Sequence, residues 1–451
     1  MTKSAAGNGH AGNGNAALAS LVRPQEGEIG REIFVDGQIY ERELDAVFAS
    51  SWLFVAHTSE IPSPGDYVTR DCGVDPVIVT QTEDQTFRVF LNTCRHRGMQ
   101  VCRVDRGNTS HFRCPYHGWT YRNDGKLIGV PSLRQAYGTL DRDRLALTEP
   151  PHVRVLHGLI FVNWDPDAPS LEEYLGGMAW YLEILFGRTE GGMKAVGTPQ
   201  RSRARMNWKL GADNFSGDGY HVAMTHRHAF DLGLFGGGTM LGHTIDVGNG
   251  HTVRIQNFPE GAPVPKHLAL PPEVLESMER TLSPEQRGAI ENITVMHGNV
   301  FPNFSFVDAV FTTTGDPEMP PVSFLNARLW QPAAADLTDL WSWIFVAEES
   351  PDWWEEASRV TFVRSHGLSG TFDQDDVEIW SNITEANQGP IARRQTFNYE
   401  VGVRVAEVDE AWPGPGRAYG VDYNEANQRA FYSKWLESMS GANPIREEAR
   451  A

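Results

Sequence analysis

Two cysteine–histidine pairs in the first third of the chain have the residue types and the spacing to hold a metal cluster. Cys94 with His96 and Cys114 with His117 give the pattern Cys-x-His-x17-Cys-x-x-His. A structural zinc site usually groups its two cysteines in one half and its two histidines in the other. Here each pair supplies one thiolate and one imidazole, as in a Rieske [2Fe–2S] centre, where both cysteines bind one iron and both histidines bind the other. The pattern therefore predicts a redox protein.

A second group of candidate ligands lies in the middle of the chain. His221 and His226 are five positions apart and would diverge by about 140° on an ideal helix, so one metal binds both only if the helix breaks between them. Two imidazoles and one carboxylate form the facial triad of non-haem Fe(II) oxygenases, which leaves positions open for O₂. The acidic segment 373–378 is the expected source of the carboxylate. Asp376 is the candidate, because it would share an inward helix face with Trp380.

These residues also have simpler interpretations. The two histidines suit the polar edge of a helix, and carboxylates at a helix N-terminus favour its dipole. The helical phase that turns Asp376 inward also predicts that Asp375 points elsewhere and that Asp373 caps the helix, and the dipole interpretation explains both of these carboxylates. Asp218 suits a turn between two glycines, or alternatively its carboxylate orients the imidazole of His221 and carries an electron path.

Composition excludes several classes of function. The 451 residues carry a formal net charge of −19 and no Lys/Arg-rich stripe, which argues against nucleic-acid binding. There is no run of eighteen apolar residues, so we expect no membrane span. Only four cysteines are present, and nothing suggests a disulfide between Cys72 and Cys102, which indicates a reducing cytoplasm. Residues 1–20 are rich in Gly, Asn, Ala and Ser and are expected to form a disordered leader.

The remaining chain divides by pattern into an arm (21–50), an all-β Rieske domain (51–165) and a catalytic domain (166–451). The middle region has short β-branched and aromatic runs, and the proline-containing segment 165–169 is typical of a linker. The last region mixes helical and strand patterns. Its predicted helices are 171–186, 207–230 with bends, 351–364 with Ser350 as cap, 373–387 and 424–440, and its predicted strands lie in 301–311 and 322–346. The fold class is therefore α+β, with an antiparallel sheet flanked by helices.

The two constellations, in this order, resemble the large (α) subunit of Rieske non-haem iron aromatic-ring-hydroxylating dioxygenases over about residues 51–394. Asn207-Trp208-Lys209 and Phe301-Pro302-Asn303 are similar to landmarks of that family. The resemblance implies that the chain binds a Rieske [2Fe–2S] cluster and a mononuclear Fe(II), and that it uses O₂ as co-substrate. The implied cluster ligands are Cys94, His96, Cys114 and His117, and the implied iron ligands are His221, His226 and Asp376. The other implied site residues are Asp218 and Asn214 at the catalytic centre, and Phe215, Val222, His297, Asn299 and Phe372 in the substrate pocket.

The same resemblance implies an assembly and a reaction. The expected assembly is a homotrimeric ring or α₃β₃ with a small (β) subunit, in which Asp218 passes electrons from one subunit's cluster to the neighbour's iron. A ferredoxin and a ferredoxin reductase would relay electrons from NAD(P)H, and the product would be a cis-dihydrodiol of an aromatic small molecule. Hydrocarbon and carboxylate substrates both remain open. Arg254, Arg328 and Arg394 could bind a carboxylate, but their spacing does not place them in the pocket.

Three other readings compete with this one. Within the oxygenases, the chain could be a monooxygenase that hydroxylates or demethylates. A pure Rieske electron-transfer protein would need only the first constellation, and a structural zinc protein would hold no iron. The glycine-rich segment 232–238 is interpreted as a surface loop or a lid over the substrate channel.

Overall fold

The computed structural model describes residues 18–233, 241–258, 265–311, 320–421 and 423–441. Most of the predicted leader and most of the glycine-rich segment 232–238 lie outside the described residues. Within the described part of the chain, no helix is both long enough and apolar enough to cross a lipid bilayer.

An antiparallel sheet, for which nine strands are described, organises the second half of the chain. From edge to edge the strands are Met193–Ala195, Leu337–Ala347, Val322–Ala334, Phe304–Phe311, Ile293–Val300, His251–Asn257, Gly242–Gly248 and Arg417–Tyr419, with Gln200–Ala204 also paired to Leu337–Ala347. The central strands Ile293–Val300 and Phe304–Phe311 are buried at every residue. Helices therefore must cover both faces of the sheet.

Two separate hydrophobic cores show how the helices do this. One core joins helices Trp208–Gly217, Thr371–Ala386 and Ala426–Ser440 to one face of the sheet. The other core joins helices Met178–Phe186 and Pro272–Thr281 to the opposite face of the sheet. The other described helices are Gly37–Glu43, Leu133–Ala136, Leu171–Leu175, Val222–Thr225, Arg227–Asp231, Pro284–Ala289 and Asp352–Ser365, with a π-helix at Leu44–Phe48 and 3₁₀ turns at Pro24–Glu26, Arg31–Phe34, Thr58–Glu60, His267–Ala269 and Ala392–Arg394.

The region that carries the cysteine–histidine pairs is built from three small sheets. Their strands are Leu53–His57, His152–Leu156 and Leu159–Asn163 in the first, Asp66–Cys72, Asp75–Gln81, Phe87–Leu91 and Arg106–Asn108 in the second, and His111–Arg113, Thr120–Arg122 and Leu127–Gly129 in the third. A separate hydrophobic core, with Phe90, Phe112 and Trp119, surrounds Cys94 and Cys114. None of the four cysteines, all of which lie in the described residues, forms a disulfide.

The N-terminal arm packs against the catalytic region. Strand Glu28–Gly30 pairs with Thr396–Asn398. Glu43 forms a salt bridge with Lys209, and both side chains are at most 1% exposed. Breaking one partner of such a buried pair costs about 3–5 kcal/mol, so this contact fixes the start of the chain to helix Trp208–Gly217.

The described elements have the predicted α+β arrangement, but some boundaries were wrong. The segment 171–186 forms two helices separated at Gly176, whose φ of 49° is left-handed. The segment 322–346 is a hairpin of two strands, and the N-cap of the next helix is Pro351 and not Ser350. The strands Gly242–Gly248, His251–Asn257 and Ile293–Val300 were not predicted.

Candidate metal centres and substrate cavity

Two loops of the same form present the four predicted cluster ligands. In the first loop the Gly98 N–H donates to the Cys94 carbonyl (2.8 Å), and the Cys94 N–H donates to the carbonyl five residues later (2.8 Å). In the second loop the Gly118 N–H donates to the Cys114 carbonyl (3.0 Å), and the Cys114 N–H again reaches five residues ahead (2.8 Å). Both glycines have φ of 71°, a left-handed turn that favours glycine. The repeat places equivalent ligands opposite each other.

The ligands are arranged with sulfur inside and nitrogen outside. Cys94 and Cys114 are 4% and 2% exposed, whereas His96 and His117 are half-buried. The two histidine Nδ1 atoms lie 3.1 Å apart. Two converging imidazoles and two buried thiols fit a [2Fe–2S] cluster of the Rieske type, which these four side chains would hold with the imidazoles as the more exposed ligands.

Tyr121 and Trp119 support this centre from inside the domain. The Tyr121 hydroxyl accepts a hydrogen bond from the Arg95 N–H (3.0 Å) and lies 3.3 Å from Cys94 Sγ. Because the hydroxyl accepts from Arg95, its own proton is available to the sulfur. The Trp119 ring stacks on the His96 imidazole at 4.9 Å between centroids. The sequence pattern assigned neither residue to the cluster.

The predicted break between the two middle histidines is present. Helix Trp208–Gly217 ends at Gly217, and helix Val222–Thr225 follows after a short turn. His226 stands between that helix and Arg227–Asp231, with non-helical φ of −104° and ψ of 29°. The break overcomes the divergence expected on a continuous helix.

His221, His226 and Asp376 converge on one point. One potential ligand atom from each residue lies within 4.8 Å of the other two. Asp376 Oδ1 is 3.5 Å from His221 Nε2 and 3.2 Å from His226 Nε2. Two imidazole nitrogens and one carboxylate fit a non-haem Fe(II), which would keep further coordination positions for O₂.

Each imidazole has a second carboxylate behind it. Asp218 Oδ2 lies 3.3 Å from His221 Nδ1, and the Asp218 carboxylate also accepts from the His221 backbone N–H (3.1 Å). Asp375 Oδ2 lies 3.2 Å from His226 Nδ1. Such carboxylates fix the tautomer and orientation of a metal-binding histidine. The prediction that Asp375 points elsewhere was therefore wrong.

The electrostatics of this group favour a bound positive charge. Burial lowers the pKa of His221, but the Asp218 and Asp376 carboxylates outweigh it and raise the pKa to about 10. Burial raises the pKa of Asp376, yet hydrogen bonds from His221 and His226 hold that pKa below its usual value. Anionic carboxylates in a buried site are what a divalent cation requires.

A cavity of about 530 Å³ opens beside the three converging residues. Of the residues predicted for the site, Asn214, Phe215, Asp218, Val222, His297 and Phe372 line it together with the metal-ligand candidates. Val295, Val307, Ala309 and Phe311 add apolar walls, and Arg254, Gln256 and His366 add polar ones. Mostly apolar walls with a few polar groups are typical of a small-molecule site.

Asn299 is the exception among the predicted pocket residues. Its Nδ2 donates to the Pro302 carbonyl (3.2 Å), and its Oδ1 accepts from Ser305 Oγ (2.8 Å). The side chain is fully buried and does not line the cavity. It stabilises the turn between two strands, so its assignment to the pocket is corrected.

The three arginines considered from the sequence have different positions. Arg254 lines the cavity, whereas Arg394 lies exposed in a 3₁₀ turn. Arg328 is buried and forms an ion pair with Asp373. Asp373 therefore does not cap its helix, whose N-cap is Gly370. The carboxylate that was expected to cap the helix instead pairs with a buried guanidinium, which packs over the ring of Phe215.

Comparison with known proteins accounts for both centres. Residues 51–150 match the Rieske [2Fe-2S] domain, and residues 171–441 match the ring hydroxylating alpha subunit (catalytic domain). The chain belongs to the ring-hydroxylating α-subunit family. The family resemblance predicted from the two constellations is thus confirmed, as are the Rieske cluster and the mononuclear iron as cofactors.

Individual relatives cover nearly the whole chain. It is 34% identical over 438 residues to the N,N-dimethyl phenylurea N-demethylase subunit alpha of Sphingobium sp. (strain YBL2), covering 94% of each chain. It is 32% identical over 447 residues to the biphenyl 2,3-dioxygenase subunit alpha of Rhodococcus jostii (strain RHA1), covering 94% of this chain and 92% of that one. Among solved structures, naphthalene 1,2-dioxygenase from Rhodococcus sp. bound to indole is 42% identical with a TM-score of 0.91, covering 96% of this chain and 98% of that one. This ring-hydroxylating α subunit is therefore similar both to dioxygenases and to an N-demethylase.

Proposed function

We propose that this α subunit belongs to a multicomponent dioxygenase that adds both atoms of O₂ to adjacent carbons of an aromatic ring, giving a cis-dihydrodiol. The observation that carries this proposal is the 42% identity and TM-score of 0.91 with a naphthalene 1,2-dioxygenase over 96% of the chain. The cavity adds support, because aromatic and aliphatic side chains beside the triad suit a planar apolar ring.

In this proposal Cys94, His96, Cys114 and His117 hold the cluster, and His221, His226 and Asp376 hold the iron. When bound, the cluster supplies single electrons and the iron supplies O₂ activation.

The chain's own residues bind the ring and orient the ligands. Phe215, Val222 and Phe372 give the cavity apolar walls that contact the ring and exclude water. Asn214 Nδ2 lies 3.5 Å from His221 Nε2, so its amide reaches the edge of the metal group and the cavity at once.

We further propose that electrons arrive from a neighbouring subunit in a trimer, either α₃ or α₃β₃ with a small subunit, and that a ferredoxin and its reductase relay them from NAD(P)H. A second cavity of about 840 Å³, which shares Asp218, His221 and Asp376 with the first, supports this route. The half-buried His96 and His117 give the cluster an edge that a neighbour can approach. Asp218 is then the residue through which the electron passes to His221.

A second candidate is oxidative N-demethylation. The 34% identity over 94% of the chain to an N,N-dimethyl phenylurea N-demethylase α subunit favours it specifically. An N-methyl group in the cavity would take up one oxygen atom of O₂, while two electrons from the reductase and two protons reduce the other atom to water. The resulting N-hydroxymethyl group would then break its C–N bond and leave as formaldehyde. The same ligands would serve both reactions, so the position of the substrate in the cavity decides between them.

One experiment separates the two candidates. The holoenzyme, reconstituted with a small subunit, ferredoxin, reductase and NADH, is incubated under ¹⁸O₂ with naphthalene or with an N,N-dimethyl phenylurea. The dioxygenase proposal expects a cis-dihydrodiol that carries two ¹⁸O atoms. If the urea yields formaldehyde and naphthalene yields no dihydrodiol, the dioxygenase proposal fails and the demethylase proposal takes its place.

A further inference from the structure

One wall of the substrate cavity is polar in a way that a hydrocarbon does not require. Arg254 and His297 are direct cross-strand partners, and His297 is in turn the partner of Val307. All three line the cavity. The sheet register therefore places a cation, an imidazole and an isopropyl group in one row along the wall.

The contact between Arg254 and His297 fixes the imidazole. Arg254 Nη1 lies 3.0 Å from His297 Nε2. A guanidinium only donates hydrogen bonds, so Nε2 must accept and cannot carry a proton. Burial, and then the charge of Arg254, lower the pKa of His297 well below its usual value, which keeps the ring neutral. Its single proton is therefore on Nδ1.

The guanidinium is held in place from its other side by the backbone. A Cβ atom at Gly219 would lie 2.5 Å from Arg254 Nε, so only glycine leaves room for this side chain. Arg254 is 2% exposed and His297 is 8% exposed. The pair is a built feature of the wall and not a mobile surface contact.

The Nδ1–H of His297 has no protein partner among the described residues, although the ring is more than nine-tenths buried and lines the cavity. A buried donor without an acceptor costs free energy. A ligand that supplies the acceptor removes this cost and therefore binds more tightly. We infer that His297 Nδ1–H is a fixed hydrogen-bond donor that selects aromatic substrates bearing an oxygen acceptor, such as a carbonyl, over bare hydrocarbons.

This inference rests on the proposed function for its aromatic substrate, but it is tested by binding alone. Fluorene and 9-fluorenone have nearly the same shape and differ by one carbonyl oxygen. Titration calorimetry of the oxidised holoenzyme, without reductase or NADH, measures the Kd of each, and fluorene-1-carboxylate provides an anionic acceptor. If the carboxylate binds more tightly than the ketone, the preferred acceptor is a carboxylate oxygen and not a ketone oxygen.

The wild type is expected to bind 9-fluorenone at least about fivefold more tightly than fluorene, as one added hydrogen bond allows. His297→Phe should remove the preference, and His297→Gln, whose amide can donate, should restore part of it. Val307→Ala, which enlarges the same row without touching a donor, should change both Kd values by the same factor. The visible spectrum of the cluster confirms that each variant is folded.

Equal affinities in the wild type, failure of the ketone to bind, or a preference that survives His297→Phe would overturn the inference. Its failure is distinguishable from that of the proposed function. If the ketone preference holds while no ring is dihydroxylated, the donor is real and the dioxygenase proposal fails. If dihydrodiols form from both compounds and their Kd values are equal, the inference fails and the dioxygenase proposal stands.

Discussion

The proposed ligands of the two metal centres come from the chain in opposite ways. The cluster ligands span only 24 residues, from Cys94 to His117, and two copies of one backbone turn present them. The iron ligands are separated by 150 residues, since Asp376 reaches His226 from a distant helix. The first centre is a local structure, whereas the second exists only when the whole catalytic region has folded.

The surroundings of the two centres also differ, because the cluster lies in a mostly apolar core and the iron group lies among carboxylates. Around the cluster, Tyr121 is the one described side chain with a hydroxyl near the sulfur of Cys94, and the rest of that core is mostly apolar. Around the iron group, Asp218 and Asp375 add two carboxylates behind the histidines. Few polar contacts therefore act on the cluster ligands, whereas a network of carboxylates supports the iron-binding histidines.

The largest effect is expected when the mononuclear iron site loses His226, one of its three proposed ligands. His226→Ala should reduce product formation to the level of the iron-free enzyme, because only one imidazole and one carboxylate remain. The cluster should keep its visible spectrum. His111→Ala is the control, since that histidine is exposed in the Rieske region and its loss should leave most of the activity. Normal turnover by His226→Ala would remove the iron assignment.

A smaller but still large effect is expected at Asp218, the proposed electron path to the iron. Asp218→Ala should leave both metals bound and slow re-oxidation of the reduced cluster by about 100-fold, the upper range for losing an outer carboxylate. Stopped-flow absorbance in the presence of substrate and O₂ measures this rate. Asp231→Ala, at an aspartate that is 66% exposed, provides the control. An unchanged rate in Asp218→Ala would exclude the electron path.

Loss of the other outer carboxylate should have a weaker effect. Asp375→Ala leaves His226 without its Nδ1 partner and should lower kcat or iron affinity by about tenfold. Activity and iron retention during dialysis against a chelator measure the two contributions. The exposed Glu378 on the same helix gives the matched variant Glu378→Gln, which should behave as wild type. Equal behaviour of the two variants would count against the orienting role of Asp375.

The smallest effect belongs to the cluster. Tyr121→Phe removes one hydrogen bond to the sulfur of Cys94 and should lower the midpoint potential by about 40 mV, the one-electron equivalent of about 1 kcal/mol. Spectroelectrochemical titration measures the shift. Tyr67→Phe is the control, because that tyrosine packs on Phe112 in the same core. Equal potentials in Tyr121→Phe and the wild type would show that the hydroxyl does not act on the cluster.

This contrast also explains what the sequence could predict. The cluster pattern is readable because its ligands lie within two short loops whose glycines must adopt left-handed turns. The spacing of His221 and His226 correctly required a break in the helix. Asp376 was chosen from its predicted helical phase with Trp380, which is a local property, and the structure brings its carboxylate to the two histidines.

The errors come from tertiary context. Asp373 and Asp375 look like helix-start carboxylates, but Arg328 and His226, which contact them, come from distant strands and loops. The strand that carries His297 is buried on both faces, so it lacks the alternation by which a strand is recognised. The pairing of Arg254 with His297 depends on sheet register, which no local pattern specifies.

In the proposed enzyme one chain carries a cluster and a separate mononuclear iron, each with its own ligands. Iron and acid-labile sulfide per chain test it directly in the wild type, Asp376→Ala and Cys114→Ser. We expect about three iron and two sulfide in the wild type, about two and two in Asp376→Ala, and about one iron with no sulfide in Cys114→Ser. A wild type with only two iron atoms per chain, or an Asp376→Ala variant that keeps all three, would contradict it.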